Sequence, residues 1–84
     1  MGGITLKGRW REELVATSDH GILVFEFPGH KKVYFPSQDR WLTQVPDWAR
    51  DKQAEYLAAC ELWCKQNRMP IVVVDDANVS IENH

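Results

Sequence analysis

Residues 48–67 read W-A-R-D-K-Q-A-E-Y-L-A-A-C-E-L-W-C-K-Q-N, and this run decides the fold. It holds no Gly, no Pro and no β-branched residue. Ala, Leu, Glu, Lys, Gln and Arg, the best helix formers, fill more than half of it. Pro46 and Asp47 stand before it, and Asn67 and Pro70 close it, as start and stop signals. The spacing predicts one long helix over 48–67, a rod of about 30 Å that covers one face of a small sheet. Its inner stripe is Ala49, Gln53, Tyr56, Leu57, Cys60, Trp63 and Cys64.

Outward from that helix the chain reads as strands. Residues 5–17 alternate: Leu6, Gly8, Trp10, Leu14 and Ala16 take one parity, Lys7, Arg9, Arg11, Glu13 and Thr17 the other. Glu12 and Val15 are the exceptions. Period two predicts one strand with one wet face, and its length predicts a bulge or bend near Gly8 or Glu12; the alternative is a short helical turn over Trp10–Leu14. Ser18-Asp19-His20-Gly21 is a turn. Ile22 to Phe27, charged only at Glu26, is a central strand covered on both sides. Pro28-Gly29 turns the chain into a third strand over 32–35. Ser37 is the N-cap of a short helix through Val45, with Trp41, Leu42 and Val45 as its apolar edge. Four β-branched residues, Ile71 to Val74, form the last, interior strand. Residues 77–84, with Val79 and Ile81 in a polar setting, pair weakly or fray.

The expected fold is therefore α+β: one domain over 1–84, two-layered, in β-β-β-α-β order. A mostly antiparallel four-stranded sheet, order 3-2-1-4, is packed by the long helix. The final strand then lies beside the first and parallel to it. This order resembles the opening half of the ribonuclease-H-like arrangement. Leu6–Ala16 holds no Asp, so the carboxylate such nucleases carry on that strand has no counterpart here.

Composition limits the function. The 84 residues carry ten basic and twelve acidic side chains, a net charge of −2 with the two signs interleaved. Phosphate binding calls for clustered positive charge, so nucleic acid is not the expected partner. No apolar run approaches the ~20 residues of a membrane span. Met1-Gly2-Gly3 has no signal-peptide character, and Leu6 stands where a myristoylation motif has Ser or Thr. Two cysteines one helical turn apart do not make a disulfide framework, and the expected compartment is the cytoplasm.

Five groups of residues invite a chemical reading. Cys60 and Cys64 share a helix face and suit two thiolate ligands, but zinc needs two more, and His20, His30 and His84 are scattered; as plain core residues they need no partner. Asp75-Asp76 ends the last strand, where ligands gather in α/β sheets, and suits Mg²⁺ or an ordinary polar turn. Ser18, Asp19 and His20 are triad ingredients, but three consecutive residues cannot place a base between nucleophile and orienter. His30 with Lys31 and Lys32 is a small basic tip, a contact for phosphate or an acidic partner, or else a solvated hairpin turn. Trp41 and Trp48, with Arg40 and Arg50, are either a mini-core or an exposed anchor for a partner. No Gly-x-Gly-x-x-Gly, Walker loop, His-Glu-x-x-His or Cys-x-x-Cys is present.

These readings converge on a non-catalytic protein-interaction module of adaptor, inhibitor or immunity type, homodimeric, with no cofactor and no metal. Its interaction candidates are Trp41, Trp48, Arg40, Arg50, Lys31 and Lys32. The alternatives are a small-ligand or metal-dependent enzyme using Asp75 and Asp76, and a single-stranded nucleic-acid binder using Trp41, Trp48 and the nearby arginines.

Overall fold

A computed structural model describes residues 3–10 and 12–82; Gly2, Arg11 and His84 lie outside them. The chain is α+β. In order it forms β1 (Thr5–Arg9), β2 (Glu13–Ser18), β3 (Gly21–Glu26), β4 (Val33–Pro36), α1 (Gln38–Gln44), α2 (Gln53–Gln66), β5 (Ile71–Val74) and β6 (Val79–Glu82). Short 3₁₀ turns occupy Pro28–His30 and Asp47–Ala49.

The sheet has six strands rather than four, in the path β1-β2-β3-β4-β5 with β6 also on β3. The expected single strand over 5–17 is a hairpin. Trp10 adopts a left-handed backbone (φ 54°), and the chain returns so that Arg9 faces Glu13 and Leu6 faces Ala16. Alternation alone cannot reveal this, because the reversal keeps apolar residues on one parity. Trp10, expected on the apolar side, is 76% exposed at the tip.

The hairpin also displaces the last strand. β1 occupies the edge of β2 where β5 was expected, so the order 3-2-1-4 is not formed. β5 instead runs parallel to β4, with Val33 facing Ile71 and Phe35 facing Val73. It is an edge strand rather than an interior one, and Val73 is 51% exposed. The ribonuclease-H-like order is thereby lost. Residues 79–82, expected to pair weakly or fray, form β6 antiparallel to β3, from Ile22 facing Glu82 to Phe25 facing Val79.

The long helix is shorter than its sequence predicts. α2 begins at Gln53, and Lys52 before it is not helical (φ −116°, ψ 11°). A helix running on from Trp48 would need the Ala49 carbonyl to accept from the Gln53 amide. That carbonyl is taken by Trp41 Nε1 at 2.8 Å and by Lys52 N at 3.0 Å. The stripe itself is as expected: Tyr56, Cys60 and Cys64 are buried, and Leu57 and Trp63 pack against the core. α1 is the short helix predicted, with Ser37 Oγ accepting from Arg40 N at 3.4 Å.

Both helices lie on one side of the sheet. There Leu14, Ala16, Leu23, Phe25, Val33, Phe35 and Val79 meet Trp41, Tyr56, Cys60 and Cys64. Aromatic rings form the centre, with Phe25 5.1 Å from Phe35, and Trp41 5.6 Å from both Phe35 and Tyr56, between centroids. Among the described residues no helix is long and apolar enough to cross a membrane.

Candidate partner-binding face

Strand alternation sends the other half of the sheet residues to the side without helices. Register places Arg9, Glu13, Glu26 and Tyr34 in one row there, with Val15, Val24 and Ser80 in the next and Glu82 beyond. Two features make this face concave rather than flat.

The first is a fork. β2 covers one edge of β3 along its whole length. The other edge is shared: β6 pairs with Ile22–Phe25, and β4 pairs only at Glu26, which faces Tyr34. The two strands part from that point. The gap is a depression of about 450 Å³, with Val24 at its floor and Glu12, Glu13, Glu26, Pro28, Tyr34, Asn78 and Ser80 around it. A second, of about 270 Å³, is lined by Glu26, Tyr34, Val74 and Asp76. The two share Glu26 and Tyr34 and so lie side by side, and are together called the groove.

The second is a clasp. Arg9 on β1 donates from Nε to Glu13 Oε1 at 2.9 Å, from Nη1 to Glu82 Oε1 at 2.9 Å, and from Nη2 to Glu82 Oε2. β1 and β6 stand three strand intervals apart, roughly 14 Å in a flat sheet. A bidentate contact across that span means that the sheet curls toward its helix-free side. Register puts Val15 and Val24 between the two partners, and Val24 is only 6% exposed though no helix covers it. The two carboxylates raise the Arg9 pKa, Glu82 more than Glu13, and Arg9 holds the Glu82 carboxyl below the usual carboxylate range.

The groove is acidic in a particular way. Glu13 and Glu26 face each other directly across β2 and β3, an unfavourable pairing of like charges. Each is held by one oxygen: Glu13 Oε1 takes Arg9 Nε, and Glu26 Oε1 takes Asn78 N at 2.8 Å. The other oxygen of each has no hydrogen-bond donor among the described residues. Glu12 and Asp76 are exposed and form no ion pair among the described residues.

The residues singled out from sequence lie mostly elsewhere. Trp41 is fully buried and has no surface to offer a partner; its indole belongs to the aromatic core. Arg40 is spent on Ala77 O (2.9 Å) and Asn78 Oδ1 (2.6 Å), and Arg50 Nη1 on Leu42 O (3.1 Å). Trp48 is half-buried, packs against the edge of the core that holds Trp41, and stacks on His20, 5.7 Å between centroids. Of the basic tip, Lys31 is exposed, Lys32 Nζ sits 5.9 Å above the Tyr34 ring, and His30 turns inward to stack on Phe27 at 4.6 Å. Ser18 Oγ is engaged with Tyr56 Oη (3.0 Å), Gly21 O and His20 N, which leaves it no nucleophile's geometry. Burial pushes both thiols up, that of Cys60 most strongly, and Cys64 and Glu61 add to it. Asp75 is exposed, and of the two acids only Asp76 lines the groove. No three His, Cys, Asp or Glu among the described residues are arranged to hold a metal ion.

Sequence reading missed Glu12, Glu13, Glu26, Tyr34 and Ser80 as a group. Strand parity marks only Glu13 of these as wet; the register and the fork bring the five together. Compared with protein-family models, curated protein sequences and solved structures, the chain matches none.

Proposed function

We propose that this chain is a non-catalytic protein-binding module whose binding surface is the helix-free face of its sheet. The observation that carries this reading is the groove in the β4/β6 fork. It is preformed, floored by Val24 and walled by Tyr34 and by carboxylates that present unused oxygens. A face already held in shape loses little freedom on binding. Self-association belongs to the same reading: β5 has one neighbour, its four residues carry no charge, and Val73 is exposed along it.

A photo-cross-linking residue at Ser80, in the groove, is expected to trap one discrete protein in the chain's own cells. The same residue at Ala58, exposed on α2, should trap none. The trapped protein, once purified, should bind the unlabelled chain saturably. Equal labelling from both faces, or none from Ser80, sinks the reading. Light scattering should give a mass near twice 9.7 kDa, reduced to a single chain by Val73→Lys.

A further inference from the structure

We infer that the occupant of the groove is an extended, basic segment of the protein partner, with an arginine or lysine seated between Glu13 and Glu26. This rests on the protein-binding reading of the same face and names the chemistry of what it binds.

The arrangement is costly without a cation. Glu13 and Glu26 are direct cross-strand neighbours of like charge on a folded sheet, a break with the local rule that opposite charges face each other. Arg9 compensates only in part, because its guanidinium is divided between Glu13 and Glu82. No basic side chain lines either depression among the described residues. Among the described residues, Arg9 is engaged by its two carboxylates and Lys32 Nζ lies over the Tyr34 ring, while Lys7, in the row of Val15 and Val24, lines neither depression. Glu12, Glu13, Glu26 and Asp76 line these depressions with no basic side chain among the described lining residues.

The rest of the lining suits a long cationic side chain. Val24, Pro28 and the Tyr34 ring give its methylenes an apolar bed. Lys32 already shows that the Tyr34 ring accepts an ammonium above it. The free oxygens of Glu13 and Glu26 give a guanidinium or ammonium charge-assisted hydrogen bonds. The groove continues past Tyr34 to Asp76, so a second basic residue of an extended segment meets a second carboxylate. Phosphate-bearing partners are repelled by the same charges.

The test uses the full ¹⁵N-labelled chain and three probes: a short alternating Arg-Thr peptide, the matching Glu-Thr peptide, and spermine. The Arg-Thr peptide is expected to shift the amides of Val24, Glu26, Tyr34 and Ser80 saturably. Its affinity should fall with added salt and drop about tenfold or more in Glu12→Gln/Asp76→Asn, two exposed positions whose loss leaves the fold intact. The Glu-Thr peptide should give no shifts, and spermine weaker ones. Equal affinity for spermine and peptide, shifts away from the groove, or an unchanged affinity in the double variant each overturn the proposal. If the Arg-Thr peptide fails while Ser80 still traps a discrete partner, the basic segment is wrong and the binding module stands. If both fail, both fall.

Discussion

Arg9 and Glu82 meet face to face although two strands, β2 and β3, lie between theirs. The contact closes the curl of the sheet over Val15 and Val24. Because Arg9 lowers the Glu82 pKa, the pair adds stability above the usual carboxylate value. That stability is lost as pH falls from there through the lowered one. Glu82→Gln is expected to melt below the wild type at neutral pH, and the two melting curves should converge in acid. Circular dichroism melts at stepped pH decide it; a gap that persists at the acid end means that the ion pair is not the cause.

Trp41 and Ala49 make a second long-reaching contact, between the indole N–H and a carbonyl that would otherwise continue a helix. Trp41→Phe loses that hydrogen bond and opens space among Phe25, Phe35 and Tyr56. A loss of about 2–3 kcal/mol in urea unfolding is expected. A loss within the error of the wild type means that the indole is not what anchors the 3₁₀ turn.

Gly21 lies under the Trp48 ring. A Cβ there would stand 2.9 Å from Trp48 Cζ2, and the backbone has φ +154°, which side-chain-bearing residues rarely adopt. Gly21→Ala should cost about 1–3 kcal/mol and disturb the His20–Trp48 stack, visible as a change in tryptophan fluorescence. Unaltered emission together with unaltered stability rules this out.

Cys60 and Cys64 are buried, and desolvation holds both as neutral thiols. Neither should react with Ellman's reagent at neutral pH until denaturant is added. Cys60→Ser, which buries a hydroxyl in place of sulfur, should cost about 1–3 kcal/mol. Rapid labelling of the native chain contradicts this packing.

Much of the layout was legible in residue order. Absence of Gly, Pro and β-branching marked α2, its period marked Tyr56, Cys60 and Cys64 as the inner face, and Ser37 marked the start of α1. Each depends on neighbours in sequence, where propensity and period act directly. The errors have other origins. The hairpin at Trp10 is local but keeps the apolar parity, the early break at Lys52 follows from Trp41 reaching Ala49, and the place of β5 turns on a pairing with distant β4.

The sequence by itself determined the two helices and the inner face of α2, and the strands near 22–27, 32–35 and 71–74, because those follow from local sterics and periodicity. Tertiary structure alone decided strand order and the fork between β4 and β6, because each depends on which edge of β3 or β4 a segment remote in sequence pairs with. The groove exists only at that second level: its carboxylates lie on separate segments and share a surface once the sheet has curled.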